Sequence, residues 1–200
     1  MLQLTEAEGE FLLRLARRGL EEAILSKTAA PEEDEIPPAL QRGCGAFVTL
    51  REGSRLRGCI GRINAAAPLC STVRECAVSA AVQDLRFRPV LPEEVARLQI
   101  EVSVLSELQP VQPEEIEIGR HGVMVSQGAH RGILLPQVAM EWNWDGIRFL
   151  EEACAKAGLP RKAWQHGARI HAFTAQVFAE HDLSETAFAS PGLNRRNRQP

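Results

Sequence analysis

The chain has 200 residues, of which 44% are hydrophobic and 24% charged, and its formal net charge is −3. That is enough apolar chain to bury a core as one large domain or two small lobes, without disulfide staples. An acidic balance with no tyrosine and 5% aromatic residues leaves nothing for a phosphate-binding stripe or a base-stacking platform, so nucleic acid is not an expected partner.

Taken in chain order, the first element is a helix. Thr5 followed by Glu8 has the capping-box spacing, and Phe11, Leu12, Leu15, Ala16, Ala23 and Ile24 recur at helical intervals up to about Leu25. Residues 28–43 contain Pro31, Pro37, Pro38 and the acid run Glu32 to Glu35, which reads as a solvated connector. AFVTL at 46–50 and RLRGCI at 55–60 are strand patterns joined by Arg51-Glu52-Gly53-Ser54, so an antiparallel hairpin is expected. Pro68 opens a second helix carrying Leu69, Val73, Cys76, Ala77 and Ala80 and ending near Gln83. A short helix at 92–97 leads into QIEVSVLSEL, where Ile100, Val102 and Val104 alternate with Gln99, Glu101 and Ser103 as in a half-buried strand.

The second half loosely repeats this order. VMVSQ at 123–127 and RGILLP at 131–136 flank Gly128-Ala129-His130, a second hairpin. A helix at about 137–143 follows, then one started by Asp145 that carries Ile147, Phe149, Leu150 and Ala153 and stops at Gly158 and Pro160. RIHAFTAQVFAE at 169–180 reads as one long strand. Hairpin then helices, twice over, predicts an α+β fold rather than a doubly wound sheet. Beyond it, Arg195, Arg196 and Arg198 follow Ser190-Pro191-Gly192 in an apolar-poor end that reads as a flexible tail.

No stretch reaches the length of a membrane span, and MLQLTEAEGE carries early acids instead of a signal sequence. Five cysteines, Cys44, Cys59, Cys70, Cys76 and Cys154, are an odd number at irregular spacing, which fits a reducing compartment. A cytoplasmic protein is therefore expected. There is no GxGxxG after a strand, no phosphate loop, no HExxH, no GxSxG and no CxxC pair. Trp142, Trp144 and Trp164 read as core plugs beside helix ends.

The chemically pointed stretch is RLRGCIGR, residues 55–62. As an unbroken strand it puts Leu56 and Ile60 on one face and Arg55, Arg57 and Cys59 on the other. In the functional reading, guanidinium groups favour the thiolate of Cys59, and Gly58 and Gly61 let a ligand approach closely. In the structural reading, Cys59 is a small packed residue and the glycines mark a bulge that alters the face assignment. A thiol enzyme also needs a base, for which His121, between Gly119 and Gly122 in GRHG, is the candidate. The bland alternative for His121 is a turn residue. Glu101 reads either as the group orienting that imidazole or as part of a solvated strand face.

FVTL, LRGCIGR, DLRFRPV, IEVSVLSEL, IGRHGVMV, RGILLPQVAMEWNWD and FLEEACAKAGL, in that order, resemble the AMMECR-one domain family, called AmmeMemoRadiSam system protein A in prokaryotes. The resemblance covers roughly residues 8–182, within a domain of residues 1–182 and a tail of 183–200. One departure is QDLRF at 83–87, where the family reads close to RDPRF. The resemblance implies two internally duplicated subdomains, a mostly antiparallel barrel-like sheet flanked by helices, and LRGCIG near the cleft between them. It implies no settled activity, and its prokaryotic members are associated with a Memo-type protein and a radical SAM protein. Two functions stand open: a cleft-binding accessory module, and a thiol-dependent enzyme using Cys59 with His121. In either, Arg55, Arg57, Gly58, Gly61 and Arg62 are the expected ligand-binding residues.

Overall fold

The computed structural model describes residues 3–26, 35–63 and 66–180. Most of the predicted connector, the C-terminal tail and His181 lie outside them. Helix α1 (Glu6–Leu25) starts as its sequence predicts: the Thr5 hydroxyl accepts from the Glu8 N–H, and the Glu8 carboxylate accepts from the Thr5 N–H. Strands β1 (Ala46–Glu52) and β2 (Arg55–Arg62) form the first hairpin, and helix α2 (Leu69–Val82) follows. Pro92–Arg97 is a 3-10 turn instead of an α-helix, leading into β3 (Gln99–Leu105) and the short β4 (Gln109–Pro110). The second half consists of β5 (Gly122–Gln127), β6 (His130–Leu134), α3 (Pro136–Glu141), α4 (Gly146–Lys156), β7 (Arg169–Phe173) and β8 (Ala175–Ala179). Both hairpin loops have two residues and begin with a glycine, Gly53 at φ +57 and Gly128 at φ +60. Glycine at that position lets the turn follow the right-handed twist of the strands.

Every pairing is antiparallel, in two open four-stranded sheets ordered β2-β1-β3-β8 and β4-β7-β5-β6. The α+β expectation therefore holds, but neither sheet closes into the expected barrel. Each half lends its last strand to the other: β4, which follows β3, pairs with β7, and β8, which follows β7, pairs with β3. The long strand predicted for 169–180 is consequently two strands in two sheets. It breaks at Thr174, whose N–H donates to the Ser106 hydroxyl while the Ser106 N–H donates to the Thr174 carbonyl, 2.9 Å each.

The two hairpins resemble each other in one packing detail. A Cβ on Gly58 of β2 would lie 2.2 Å from the Ala80 carbonyl oxygen of α2, and one on Gly132 of β6 would lie 2.3 Å from the Ala153 carbonyl oxygen of α4. In each half a helix backbone rests directly on a glycine of the second strand.

The larger core lies between α1, α2 and the first sheet, built on Leu12, Leu20, Leu69, Val48 and Val102, all with no exposed surface. Burying each such side chain contributes about 1.5–3 kcal/mol. The smaller core joins Phe149, Leu150 and Ala153 of α4 to Val123, Val125 and Ile170. Leu105, Leu135 and Phe173 form a third cluster at the seam between the halves, with Phe47 and Ile133 packed against it. Ile147, expected on the apolar side of α4, is 60% exposed. Trp142 is no core plug: it is 66% exposed and stacks on Trp144 with ring centroids 6.1 Å apart.

Candidate functional site

The register of β2 answers the question its sequence raises. Gly58 pairs with Leu50, but Leu56 pairs with Arg51, so Arg57 is an extra, bulged residue. Such a bulge reverses the face of everything before it. Gly58, Ile60 and Arg62 therefore lie on the helix-packed side with Leu50, Val48 and Ala46. Cys59 and Gly61 lie on the opposite side with Thr49 and Phe47, and Leu56 joins them there. The expected grouping of Arg55 and Arg57 with Cys59 does not hold, because it assumed an unbroken strand.

Arg57 instead turns inward and is 2% exposed. Its Nε and Nη2 donate to the two carboxylate oxygens of Glu94 at 2.9 Å each, Nη1 donates to the Arg88 carbonyl at 2.9 Å, and Nη2 to the Pro89 carbonyl at 3.2 Å. These bonds occupy most of a guanidinium's five donors. The Arg57 bond holds the Glu94 carboxyl down at about 2, against the opposing effect of burial. Arg62 pairs with Glu75 of α2 at 2.8 Å, and Arg55 stands exposed beside Glu52 at the hairpin end. Gly58 receives α2, and a Cβ on Gly61 would lie 2.2 Å from the Phe47 ring.

Cys59 belongs to a polar row across three strands, because Thr49 of β1 pairs with Cys59 on one side and with Glu101 of β3 on the other. The Thr49 hydroxyl donates to Cys59 Sγ at 3.3 Å, and Gln137 Nε2 of α3 donates to Glu101 Oε1 at 3.2 Å. This face of the first sheet thus looks toward the second half. Lys156, the last residue of α4, acts on Cys59 electrostatically, and desolvation lowers its ammonium pKa. Burial pushes the Cys59 thiol above its ordinary value, opposed by the Thr49 hydrogen bond and the charges of Arg86 and Lys156. At neutral pH the group is a thiol.

The main chain at Cys59 is clamped as well. Its N–H donates to Asp84 Oδ2 at 2.9 Å, and Arg86 Nη2 donates to its carbonyl at 3.2 Å. Arg86 also donates from Nε to Asp84 Oδ1 at 2.9 Å and from Nη2 to Oδ2 at 2.6 Å, which drives the Asp84 carboxyl down to about 2. QDLRF is thus the loop that holds the Cys59 strand. Its two departures from the family pattern fall at exposed positions, Gln83 and Leu85, whereas the two residues making the clamp are present. Thr49, Asp84, Gln137 and Lys156 escape sequence reasoning because none carries a motif signal of its own; pairing register and helix docking bring them together.

His121 stands elsewhere. It lines a cleft of about 490 Å³ with Arg42, Cys44, Ser106 and Thr174, where the chain crosses between the sheets, and Cys59 is absent from that lining. Its Nδ1 accepts from the Glu117 N–H at 3.1 Å, and its own N–H donates to the Glu117 carbonyl at 2.9 Å, closing a turn through Gly119 at φ +85. Cys44, half-buried, donates to the Leu105 carbonyl, and burial raises its thiol. Among the described residues, no three His, Cys, Asp or Glu side chains are grouped to hold a metal, and no helix is long and apolar enough to cross a membrane.

The AMMECR1 family model matches residues 13–178, which takes in the polar row, its clamp and the crossover cleft. The chain belongs to the AMMECR1 family. Among its relatives, a protein of Thermococcus gammatolerans is 40% identical over 192 residues, covering 90% of this chain and 94% of its own. Protein PF1979 of Pyrococcus furiosus is 41% identical, covering 90% and 91%. The crystal structure of an uncharacterized protein, PH0010 from Pyrococcus horikoshii, superposes with a TM-score of 0.82 at 42% identity, over 88% of this chain and 93% of that one. AMMECR1 relatives over nearly the full chain carry the fold, and none brings a reaction with it.

Proposed function

We propose that this AMMECR1 protein is an accessory binding module whose recognition surface is the polar row of Cys59, Thr49 and Glu101 with Lys156, facing the seam between two copies of one ancestral unit. The observation that carries this reading is the state of Cys59. Its thiol is raised by burial and hydrogen-bonded by Thr49, and its backbone is fixed at both N–H and carbonyl. A nucleophile needs thiolate and a base beside it, whereas a rigid, protonated thiol next to a carboxylate and an ammonium suits hydrogen bonding to a partner. Gly58 and Gly61 set the shape of the surface, and Arg55 and Arg62 border it. The strand order common to the two sheets supports the duplication, and the family resemblance supports a Memo-type protein and a radical SAM protein as the partners served in the cytoplasm.

The alternative, a thiol-dependent enzyme, is favoured by one observation, the desolvated amine of Lys156 beside Cys59; in that reading Lys156 takes the thiol proton and His121, bound into its own turn, is too far committed to do so. Native protein isolated without added reductant, followed by intact-mass spectrometry and pull-down with a Memo-type partner, separates the two. The module reading expects an unmodified Cys59, capture that survives Cys59→Ser, and capture that is lost in Glu101→Ala. A covalent adduct on Cys59 that disappears in Lys156→Ala overturns it.

A further inference from the structure

The crossover cleft is a site of its own, independent of the Cys59 row. Its walls come from both halves: Arg42 and Cys44 precede β1, Glu107 follows β3, His121 precedes β5 and Phe173 ends β7. Two full charges of opposite sign stand there, the Arg42 guanidinium and the Glu107 carboxylate. Neither side chain makes a hydrogen bond or ion pair with a described residue, and the two do not pair with each other. Both act on the buried Cys44 thiol, Arg42 lowering and Glu107 raising it, so both lie close to the same point of the cleft. His121 has its Nδ1 occupied by the Glu117 N–H, which leaves Nε2 as its free ring nitrogen. Leu105, Val111 and Phe173 supply an apolar floor. A space of about 490 Å³ is within the range of small-ligand pockets.

A cation and an anion held apart over apolar surface complement a small molecule that carries the opposite charges and an apolar group. We propose that this cleft binds a free α-amino acid with an aliphatic side chain, its carboxylate on Arg42, its ammonium on Glu107 and its side chain against Phe173 and Val111. A purely anionic ligand would leave Glu107 facing like charge, and a purely cationic one would do the same to Arg42, so the pair selects a zwitterion.

The test compares three probes by thermal shift and isothermal titration on the full chain: L-leucine, isocaproate, which lacks the ammonium, and isoamylamine, which lacks the carboxylate. Leucine should give a saturable rise of about 3 °C at roughly ten times its Kd, the size that linkage gives a chain of this length. Isocaproate and isoamylamine should bind at least about tenfold more weakly, since each forfeits one charged contact. Arg42→Gln and Glu107→Gln, both at exposed positions where folding is not at risk, should each lower leucine affinity by about tenfold or more. Arg97→Gln, an exposed change on the Glu52 pair, should leave it unaltered. Equal response to all three probes, no response to leucine, or undiminished affinity in either variant overturns the proposal. None of these outcomes bears on the Cys59 row.

Discussion

Arg57 and Glu94 are 2% and 7% exposed, in bidentate contact, so neither charge has water to fall back on. Removing one partner from such a pair costs about 3–5 kcal/mol, mostly because the other is left buried and alone. Arg57→Ala and Glu94→Ala should both lower the urea midpoint by that amount, measured by equilibrium unfolding. The acid limb follows from the same carboxyl. Glu94 and Asp84 are both depressed to about 2, so their stabilisation is complete above the unfolded carboxylate range and is lost as pH falls through the folded values. Stability should therefore fall between about pH 5 and pH 2, and Asp84→Asn should flatten part of that fall; an unchanged slope in the variant would speak against the clamp. At Cys59 the sign is opposite: its pKa is raised by burial, as is that of Cys76, which reaches about 11. Iodoacetamide labelling of both should be slow at neutral pH and should rise in alkali. Cys59, half-buried, should label ahead of Cys76, and Lys156→Gln should slow it by removing a stabilising charge. The sequence marked LRGCIG as the segment to watch, yet the meaning of Arg57 was not legible, since its partner lies 37 residues away and the bulge that turns it inward leaves no local pattern.

Elements whose signals are local were read correctly. The capping box of α1, the two glycine-started hairpins and the Asp145 cap of α4, which accepts from the Arg148 N–H at 2.7 Å, all depend on residues within four positions of each other. Contacts between elements were not legible in this way. Gly58 looked like an opening for a ligand, and the structure fills that opening with the α2 backbone. Gly58→Ala and Gly132→Ala should therefore destabilise alike, by about 2–4 kcal/mol, the range of core overpacking and backbone displacement. Gly53→Ala is the control, because a Cβ there meets nothing within 4 Å and only the positive φ is penalised, by about 1–2 kcal/mol. If Gly58→Ala cost no more than Gly53→Ala in urea titrations, the helix-on-glycine contact would not be the reason for that glycine.

Across the whole molecule, the exchange of last strands decides how the halves behave. Periodicity identified the strands but could not say which sheet each joins: 169–180 is apolar and continuous as sequence, and its break at Thr174 comes from Ser106, 68 residues away. Because β8 completes the first sheet and β4 the second, neither half can open without stripping an edge strand from the other. The seam cluster of Leu105, Leu135 and Phe173 would also come apart. The chain should thus unfold as one cooperative unit. It carries its own probes for this, since Trp142, Trp144 and Trp164 all lie in the second half, whereas the two longest helices, α1 with 20 residues and α2 with 14, lie in the first. Tryptophan fluorescence and far-UV circular dichroism should give coincident urea transitions. Leu12→Ala, a cavity in the first core at a residue with no exposed surface, should move both curves together by about 2–5 kcal/mol. Separate midpoints, or a fluorescence curve indifferent to Leu12→Ala, would mean that the exchanged strands detach before either core melts.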